Sequence, residues 1–372
     1  MRRKGILESM KRSIRCAVAG YGASFNFGKA HATWLNATAG LELAAVMSRS
    51  PQRTSAAQAD WPGIRVLNSF DELLAQPDID LIALVTPTHT HAPLAIRALR
   101  AGKHVVVEKP MCMTTDQATL MIEEARLADR MLAVFHNRRH DGNFRTIRRL
   151  VDSGAIGSLH HVELSQTNFA FPWRGLPNYV DKQIAGNALY GWGAHGVDWV
   201  LTLIPERIRH VTGYFHKLVW HEVSVEDQAR VLILFENGAV ADIQWSNIAA
   251  ISKPLWRILG TAGAIEDSGQ GALSGYAPAP GSAQAMAGAV PEMIGQSSSS
   301  LTLVSKGEQG FDSQAIPYES SNWIQYYRDI AAHLLDGAPV PVSGEDGRRT
   351  IAVMETAERS ALLGTSLPVP YA

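Results

Sequence analysis

A buried strand followed by a glycine turn and a helix is the feature that most constrains this chain. The stretch 14–35 reads IRCAVAGYGASFNFGKAHATWL, in which an apolar run leads into Gly20 and Gly22. Such a unit is typical of the start of a dinucleotide-binding domain. The first glycine permits a tight turn, the second lets the backbone approach a pyrophosphate, and the helix N-terminus offers N–H groups to the phosphates. Phe25 stands where a third glycine is usual, so the motif alone is a weak signal.

Composition argues against a nucleic-acid or membrane partner. The 372 residues carry a formal net charge of −1, whereas a nucleic acid or an anionic membrane attracts a strongly basic surface. No run approaches the ~20 apolar residues that a membrane helix needs. Cys16 and Cys112 are the two cysteines, and their apolar surroundings predict free thiols and a cytoplasmic protein. We interpret residues 1–12 as a basic tail and not as an export signal.

Apolar strand patterns alternate with helical patterns across residues 13–137. The runs 41–47, 79–85 and 104–108 predict strands, and helical segments lie between them. This alternation is typical of a parallel, doubly wound sheet of the Rossmann type. Ligands of such sheets bind at the carboxyl ends of the strands, where Thr86, Pro87 and Thr88 follow one strand and Glu108 and Lys109 end another.

The end of the second predicted strand bears on the choice of cofactor. NAD-binding proteins usually carry an acidic residue there, which binds the ribose 2′-hydroxyl. This chain has Ser48 and Arg49 instead, so no carboxylate repels a 2′-phosphate and a guanidinium is available to pair with one. The sequence therefore predicts NADP or NAD as cofactor, with NADP slightly favoured.

The pattern changes after residue 137, and residues 138–372 are predicted to form a second domain. Alternating and apolar runs indicate a mostly antiparallel sheet, and Asn237-Gly238 is a strong hairpin signal. The run 231–235 is apolar at both parities, so both faces of that strand need cover. The Gly-, Ala-, Ser- and Pro-rich stretch 268–300 is expected to be a surface excursion.

Several motifs together make the chain resemble one family, the Gfo/Idh/MocA oxidoreductases, which include glucose-fructose oxidoreductase and inositol dehydrogenase. The motifs are GYG at 20–22, TP-x-x-x-H at 86–91, AGKHVVVEKP at 101–110, NRR at 137–139 and GAHGVD at 193–198. The resemblance covers nearly the whole chain. It implies a Rossmann domain, a C-terminal α+β domain with a large open sheet, and a homodimer or homotetramer formed through that sheet.

The resemblance also implies roles for two residues. Lys109 of the EKP motif would be catalytic, with a cis peptide bond between Lys109 and Pro110, and His195 would be a general acid or base. One departure matters, because family members commonly carry an aspartate four residues before this histidine and the chain has Gly191. We expect Lys109 and His195 to do the proton work alone, or Tyr190 to take part, or turnover to be altered.

The remaining candidates fall into two groups, and no group of histidines has the spacing of a metal site. The expected dinucleotide contacts follow the glycine turn and the strand ends: Gly20, Tyr21, Gly22, Ala23, Ser24, Phe25, Ser48, Arg49, Thr86, Pro87, Thr88, His91, Glu108, Lys109 and Asn137. The expected substrate contacts combine flat aromatic faces with hydrogen-bonding groups, as a sugar-binding wall does: Arg138, Trp173, Arg174, Tyr179, Lys182, Tyr190, Asp198 and Tyr326. Arg174 and Lys182 also suit an anionic substituent.

The sequence therefore predicts an NAD(P)-dependent oxidoreductase. It would transfer a hydride between nicotinamide and a secondary hydroxyl or keto carbon of a sugar, glycoside or polyol. Two alternatives stay open at this point. One is a glycosidase that keeps its NAD bound and oxidises the sugar transiently to allow elimination. The other is a dinucleotide-binding sensor without catalysis, which Gly191 makes conceivable.

Overall fold

The computed structural model describes residues 13–22, 27–172, 175–268, 299–308 and 310–371. Two β-sheets dominate this part of the chain, one with six strands and one with eight. The predicted basic tail at 1–12 and nearly all of the predicted excursion at 268–300 lie outside the described residues.

Sheet A is the six-stranded parallel sheet of a Rossmann fold. Its strand order is β3-β2-β1-β4-β5-β6, and every neighbouring pair runs parallel, which confirms the predicted doubly wound topology. Its central strands are apolar and buried because helices cover both faces of such a sheet. The strands are β1 (Ile14–Ala19), β2 (Leu41–Met47), β3 (Arg65–Leu67), β4 (Leu81–Leu84), β5 (His104–Glu108) and β6 (Leu132–Phe135).

Sheet B is the eight-stranded, mostly antiparallel sheet that the second half of the sequence predicts. Its order is β14-β13-β12-β11-β7-β10-β9-β8, with β7 and β10 as the parallel pair. The hairpin at Asn237-Gly238 joins β9 to β10, and Gly238 takes the left-handed conformation that this turn needs. The strands are β7 (Leu159–Thr167), β8 (Ile208–His216), β9 (Gln228–Phe235), β10 (Val240–Ser246), β11 (Trp256–Gly260), β12 (Gly263–Asp267), β13 (Ser300–Gly307) and β14 (Gly310–Pro317).

The helices begin where the sequence offers capping side chains. Ser69 and Thr114 each accept a hydrogen bond from a backbone N–H of the first helical turn, and Ser343 forms a reciprocal capping box with Asp346. The helices are α1 (Phe27–Ala37), α2 (Pro51–Asp60), α3 (Phe70–Leu74), α4 (His91–Arg100), α5 (Thr115–Ala128), α6 (Gly142–Asp152), α7 (Pro177–Val180), α8 (Lys182–Ala185), α9 (Ala194–Leu203), α10 (Gln325–Asp336) and α11 (Gly344–Leu363).

The C-terminal part of the chain returns to sheet A. Ser343 forms a bridge with Ala133 of β6, and the backbone N–H of Val134 donates to the carbonyl of Val342. The Tyr326 hydroxyl donates to the carbonyl of Val134 at 2.8 Å. The segment around α10 and α11 therefore ties the two sheets together, and the division at 137/138 stays a prediction. Within the described ranges, no helix has the length and apolarity to span a membrane.

Candidate active site

The glycine turn after β1 has the backbone that a pyrophosphate site needs. Gly20 and Gly22 adopt positive φ angles of 112° and 72°. A Cβ at Gly20 would overlap the carbonyl oxygen of Val85, so a side chain is excluded there. A Cβ at Gly28, in the first turn of α1, would lie 2.8 Å from both the Gly20 carbonyl oxygen and the Tyr21 Cα. Gly28 thus permits the close helix–turn packing that the third glycine of the motif usually provides.

The ring of Tyr21 packs inward. Its side chain is 1% exposed, and its hydroxyl donates to Asp60 at the end of α2 at 2.7 Å. Trp61 Nε1 donates to the same hydroxyl at 3.1 Å. The side chain thus joins the glycine turn to α2, and the predicted contact with the cofactor stays a prediction for the backbone of Tyr21. The predicted contacts Ala23, Ser24 and Phe25 lie outside the described residues.

Two arginines lie beside the glycine turn near the end of β2. Ser48 is buried and Arg49 is exposed, next to the start of α2. Arg53, one turn into α2, places its aliphatic stem where a Cβ at Gly22 would come within 2.9 Å. Sequence reasoning missed Arg53, although its distance of four residues from Arg49 was a readable signal. Arg49 and Arg53 are both placed to meet a phosphate that approaches Gly22.

His91 connects the loops after β4 and β5. Its Nε2 lies 2.7 Å from the Thr86 carbonyl oxygen and its Nδ1 lies 2.9 Å from the Pro110 carbonyl oxygen. The ring is buried, and burial lowers its pKa. Because both nitrogens face backbone carbonyls, His91 holds the two loops together. Its predicted contact with the cofactor stays a prediction. Thr86, Pro87 and Thr88 are half-buried at the carboxyl end of β4, as predicted for a cofactor wall.

Glu108 belongs to a hydrogen-bonded network within the protein, and its predicted contact with the cofactor stays a prediction. One carboxylate oxygen lies 2.9 Å from His31 Nε2, and the other accepts the backbone N–H of Lys109 at 3.0 Å. A carboxylate only accepts, so Nε2 carries the proton and His31 Nδ1 accepts from the Tyr327 hydroxyl at 2.5 Å. The network therefore links α10 through α1 to the end of β5 and fixes the backbone that carries Lys109.

Lys109 projects its amine to the segment that precedes α9. The Lys109–Pro110 peptide bond is cis, as the family resemblance implied. Lys109 Nζ donates a 2.9 Å hydrogen bond to the carbonyl oxygen of Gly191. Burial lowers the pKa of the amine to about 8, with Glu108 opposing the shift and Arg138 adding to it. The amine is therefore able to exchange a proton near neutral pH.

His195 lies one helical turn beyond the carbonyl that binds Lys109. A π-helical turn, Leu189–Gly193, leads into α9, and such turns are frequent at functional sites. His195 is 5% exposed, and its Nδ1 has no partner among the described residues. Burial and the nearby cations of Lys109 and Arg138 hold its pKa well below the usual value, so the imidazole is neutral at neutral pH. Its ring centroid lies 5.5 Å from that of His136.

Asp198 pairs with Arg139, and its predicted contact with substrate stays a prediction. The guanidinium donates to both carboxylate oxygens, at 2.8 and 2.6 Å, and the carboxylate is 2% exposed. His136 Nδ1 lies 3.8 Å from the same carboxylate. Burial alone raises the pKa of Asp198, but the Arg139 charge outweighs it and the net pKa lies below its usual value. The Asp198–Arg139 ion pair therefore supports the part of the site that holds His136 and His195.

The guanidinium of Arg138 is also engaged in contacts within the protein. It donates to Asp141 at 2.8 Å and lies over the rings of Trp192 and Trp323, 4.4 and 5.2 Å from their centroids. The side chain is 1% exposed, and its charge lowers the pKa values of Lys109 and His195. Its predicted contact with substrate stays a prediction. Asn137, predicted to contact the cofactor, is 5% exposed at the carboxyl end of β6.

Three further predicted substrate contacts bind other groups of the protein, and their roles toward a substrate stay predictions. The Tyr190 hydroxyl donates to the carbonyl of Met113 at 2.7 Å, and Tyr326 is buried with its hydroxyl on the backbone. Lys182 lies between two carboxylates, those of Glu226 and Glu358. Tyr179 is half-buried at α7. Trp173 and Arg174 lie outside the described residues.

The arrangement suits proton transfer beside a bound dinucleotide. An amine with a lowered pKa and a neutral imidazole share one wall, and the glycine turn that would receive the pyrophosphate lies at the carboxyl edge of the same sheet. No group of three or more metal-ligating side chains occurs among residues that the structure describes.

Family models and relatives agree with this geometry. Residues 14–136 match the Gfo/Idh/MocA oxidoreductase family model with an NAD-binding Rossmann fold, and residues 144–266 match the Gfo/Idh/MocA C-terminal domain. The scyllo-inositol 2-dehydrogenase (NADP(+)) IolW of Bacillus subtilis is 26% identical over 363 residues, covering 94% of each chain. The uncharacterized oxidoreductase YdgJ of Escherichia coli is 42% identical over 155 residues, covering 41% of this chain and 43% of YdgJ. Among solved structures, yvaA of Bacillus subtilis superposes with a TM-score of 0.85 at 24% identity, covering 97% of this chain and 99% of yvaA.

Proposed function

This chain belongs to the Gfo/Idh/MocA family of oxidoreductases, and on that premise we propose that it interconverts a secondary alcohol and a ketone on a sugar, glycoside or polyol. The observation that carries the proposal is the hydrogen bond from Lys109 Nζ to the Gly191 carbonyl. It brings an amine with a lowered pKa to the helical turn before His195. A polyol substrate is supported by IolW, whose name assigns it scyllo-inositol.

The residues around the glycine turn fit a nicotinamide dinucleotide. Gly20 and Gly22 take positive φ angles that glycine adopts without strain, so the turn is tight and its backbone is able to approach a pyrophosphate. Thr86, Pro87 and Thr88 would line the cofactor on the other side of the turn. When bound, the nicotinamide supplies the hydride acceptor or donor, and the protein supplies orientation and proton transfer.

In this proposal Lys109 transfers the proton and His195 orients the reacting oxygen. The amine, with a pKa of about 8, accepts the hydroxyl proton during oxidation and returns it during reduction. His195 has a much lower pKa, so its neutral ring orients the reacting oxygen by a hydrogen bond. No carboxylate stands at Gly191, so the amine has a backbone carbonyl as its fixed partner.

We propose NADP as the preferred cofactor. The end of β2 carries no acidic side chain, Arg49 is exposed there, and the stem of Arg53 lies against Gly22. A charge-assisted hydrogen bond to a phosphate contributes about 1.5–3 kcal/mol, or roughly 10- to 100-fold in affinity. Arg49→Gln and Arg53→Gln should therefore weaken NADPH binding and leave NADH binding within about threefold. Arg126→Gln, at an exposed arginine of α5, is the control, and tighter binding of NADH by the wild type would contradict the preference.

We propose a homodimer or homotetramer and a cytoplasmic location. On β9, Val231 and Ile233 are buried while Leu232 and Leu234 are only half-buried, so one face of sheet B is left partly uncovered. Light scattering at micromolar concentration tests the assembly, and a monomer would contradict it. The free thiols of Cys16 and Cys112 support a reducing compartment.

The decisive experiment begins with the dinucleotide that copurifies with the protein, identified by mass spectrometry. A panel of inositols, sugars and glycosides is then monitored at the absorbance of the reduced cofactor. A stoichiometric absorbance change with one of them supports the proposal. Glycoside cleavage without net absorbance change would indicate the glycosidase instead. Dinucleotide binding without any turnover, unaltered by Lys109→Ala and His195→Ala, would indicate a sensor.

A further inference from the structure

Gly191 leaves an open space on the wall of the candidate active site. The residue is exposed, although Tyr190 before it is buried and Trp192 after it is half-buried. A Cβ placed at Gly191 meets no atom within 4 Å, and the backbone is not in the left-handed region that requires glycine. A larger side chain would therefore fit at this position, although the sequence has glycine there. The space lies beside the carbonyl that accepts the hydrogen bond from Lys109.

The amine of Lys109 lacks a carboxylate partner in the described part of the chain. Its one hydrogen bond goes to an uncharged carbonyl oxygen. The acidic side chains around the site are each engaged with another group: Glu108 with His31, Asp141 with Arg138 and Trp323, Asp198 with Arg139, and Glu226 and Glu358 with Lys182. No carboxylate among them is in contact with the amine, although the charge of Glu108 acts on it through space and raises its pKa.

The cations at this wall add to one another. The Arg138 guanidinium lies over Trp192, the residue that follows Gly191. Burial lowers the pKa of His195, and the charges of Lys109 and Arg138 lower it further. An anion that entered the space over Gly191 would therefore meet an amine without a carboxylate partner in surroundings that favour negative charge.

We propose that the substrate carries a carboxylate that occupies the space over Gly191 and pairs with the Lys109 amine. This inference rests on the proposed oxidoreductase function and narrows its substrate class to acidic sugars or acidic polyols. The carboxylate acts as the missing counter-charge, and it fixes the carbon chain relative to His195. A neutral sugar binds the same site without that ion pair. The preference is about 10- to 100-fold in kcat/KM, the usual contribution of a hydrogen bond to a charged group.

The experiment compares acids with their neutral parents on three proteins. D-Glucuronate is paired with D-glucose and D-galacturonate with D-galactose, and D-glucose 6-phosphate tests whether a phosphate substitutes for the carboxylate. The proteins are the wild type, Gly191→Asp and Gly191→Ala. The aspartate fills the space with a fixed carboxylate, whereas the alanine adds only a methyl group. We expect the wild type to prefer at least one acid by about tenfold or more. Gly191→Asp should lose that preference, and Gly191→Ala should keep it to within about threefold.

Calorimetric titration of the same acids and sugars supplies a readout that does not depend on turnover. If neutral sugars are oxidised as well as the acids and Gly191→Asp behaves as the wild type, this inference is overturned and the oxidoreductase function stands. If nothing is oxidised but the acids still bind and Gly191→Asp weakens that binding about tenfold, the anion site stands and the oxidoreductase function fails. Preference for the phosphate alone, or no binding of any acid, overturns the inference.

Discussion

The buried ion pair between Asp198 and Arg139 gives a prediction that separates a supporting role from a substrate contact. The pair has two short hydrogen bonds, and the exposed fractions of the two side chains are 2% and 17%. Removing one partner of such a pair leaves the other buried and unpaired, which costs about 3–5 kcal/mol. Asp198→Asn keeps one oxygen that accepts from the guanidinium, so we expect the lower end, about 3 kcal/mol.

The matched control is an exposed aspartate that pairs with an arginine. Asp152 lies 3.5 Å from Arg148 on α6, with exposed fractions of 66% and 53%, and a pair of this kind contributes at most about 1 kcal/mol. Urea unfolding monitored by tryptophan fluorescence compares the wild type with Asp198→Asn and Asp152→Asn at neutral pH. We expect the free energy of unfolding to fall clearly more for Asp198→Asn.

The pH dependence of that difference follows from the lowered pKa of Asp198. A carboxylate whose folded pKa lies below its unfolded value stabilises the protein above the unfolded value, near 3.8, and loses that contribution as the pH falls further. The gap between wild type and Asp198→Asn should therefore be full at neutral pH and shrink in acid. Equal losses for Asp198→Asn and Asp152→Asn would refute the reasoning, and Asp198 would again be available to contact substrate.

Three other predictions concern the site directly. We expect oxidation of a neutral sugar or polyol to rise with pH through about pH 8, because Lys109 must be neutral to accept a proton, whereas a substrate carboxylate paired with the amine would move the rise to higher pH; a flat pH–rate profile for the neutral substrate would contradict this. Arg138→Met removes a cation that lowers the pKa of Lys109, so the rise in oxidation rate should occur at higher pH than in the wild type. A rise at lower pH than in the wild type would contradict the reasoning. Gly20→Ala should abolish dinucleotide binding in calorimetry because its Cβ would overlap the Val85 carbonyl, whereas Gly102→Ala, also at positive φ but with open space, should retain it; equal binding by both would count against the role of the turn.

The features that the sequence predicted correctly depend on local backbone pattern. Apolar runs and glycine turns predict the turn at Gly20 and Gly22 and the strand that precedes Lys109. These patterns depend on a few adjacent residues. The parallel sheet and the hairpin at Asn237-Gly238 follow in the same way.

The side-chain partners that the sequence does not reveal lie far along the chain. Lys182 resembles a ligand for an anionic substituent until the fold brings Glu226 and Glu358 to it, 44 and 176 residues later. Tyr326 resembles a sugar-contacting ring until its hydroxyl meets the carbonyl of Val134. Polar residue types predict hydrogen bonding, but the sequence does not show whether the partner is a ligand or the protein itself.

The measurement that tests the account most directly is a double-mutant cycle on kcat/KM with Lys109→Ala and His195→Ala, using the best substrate of the panel. If both side chains act on the same hydroxyl, each single change should cost at least about 100-fold. The kcat/KM of the double variant should then be only slightly lower than that of the less active single variant, because the effects of groups that act as a unit are not additive. Losses that multiply, or a single variant that keeps full activity, would contradict the shared site.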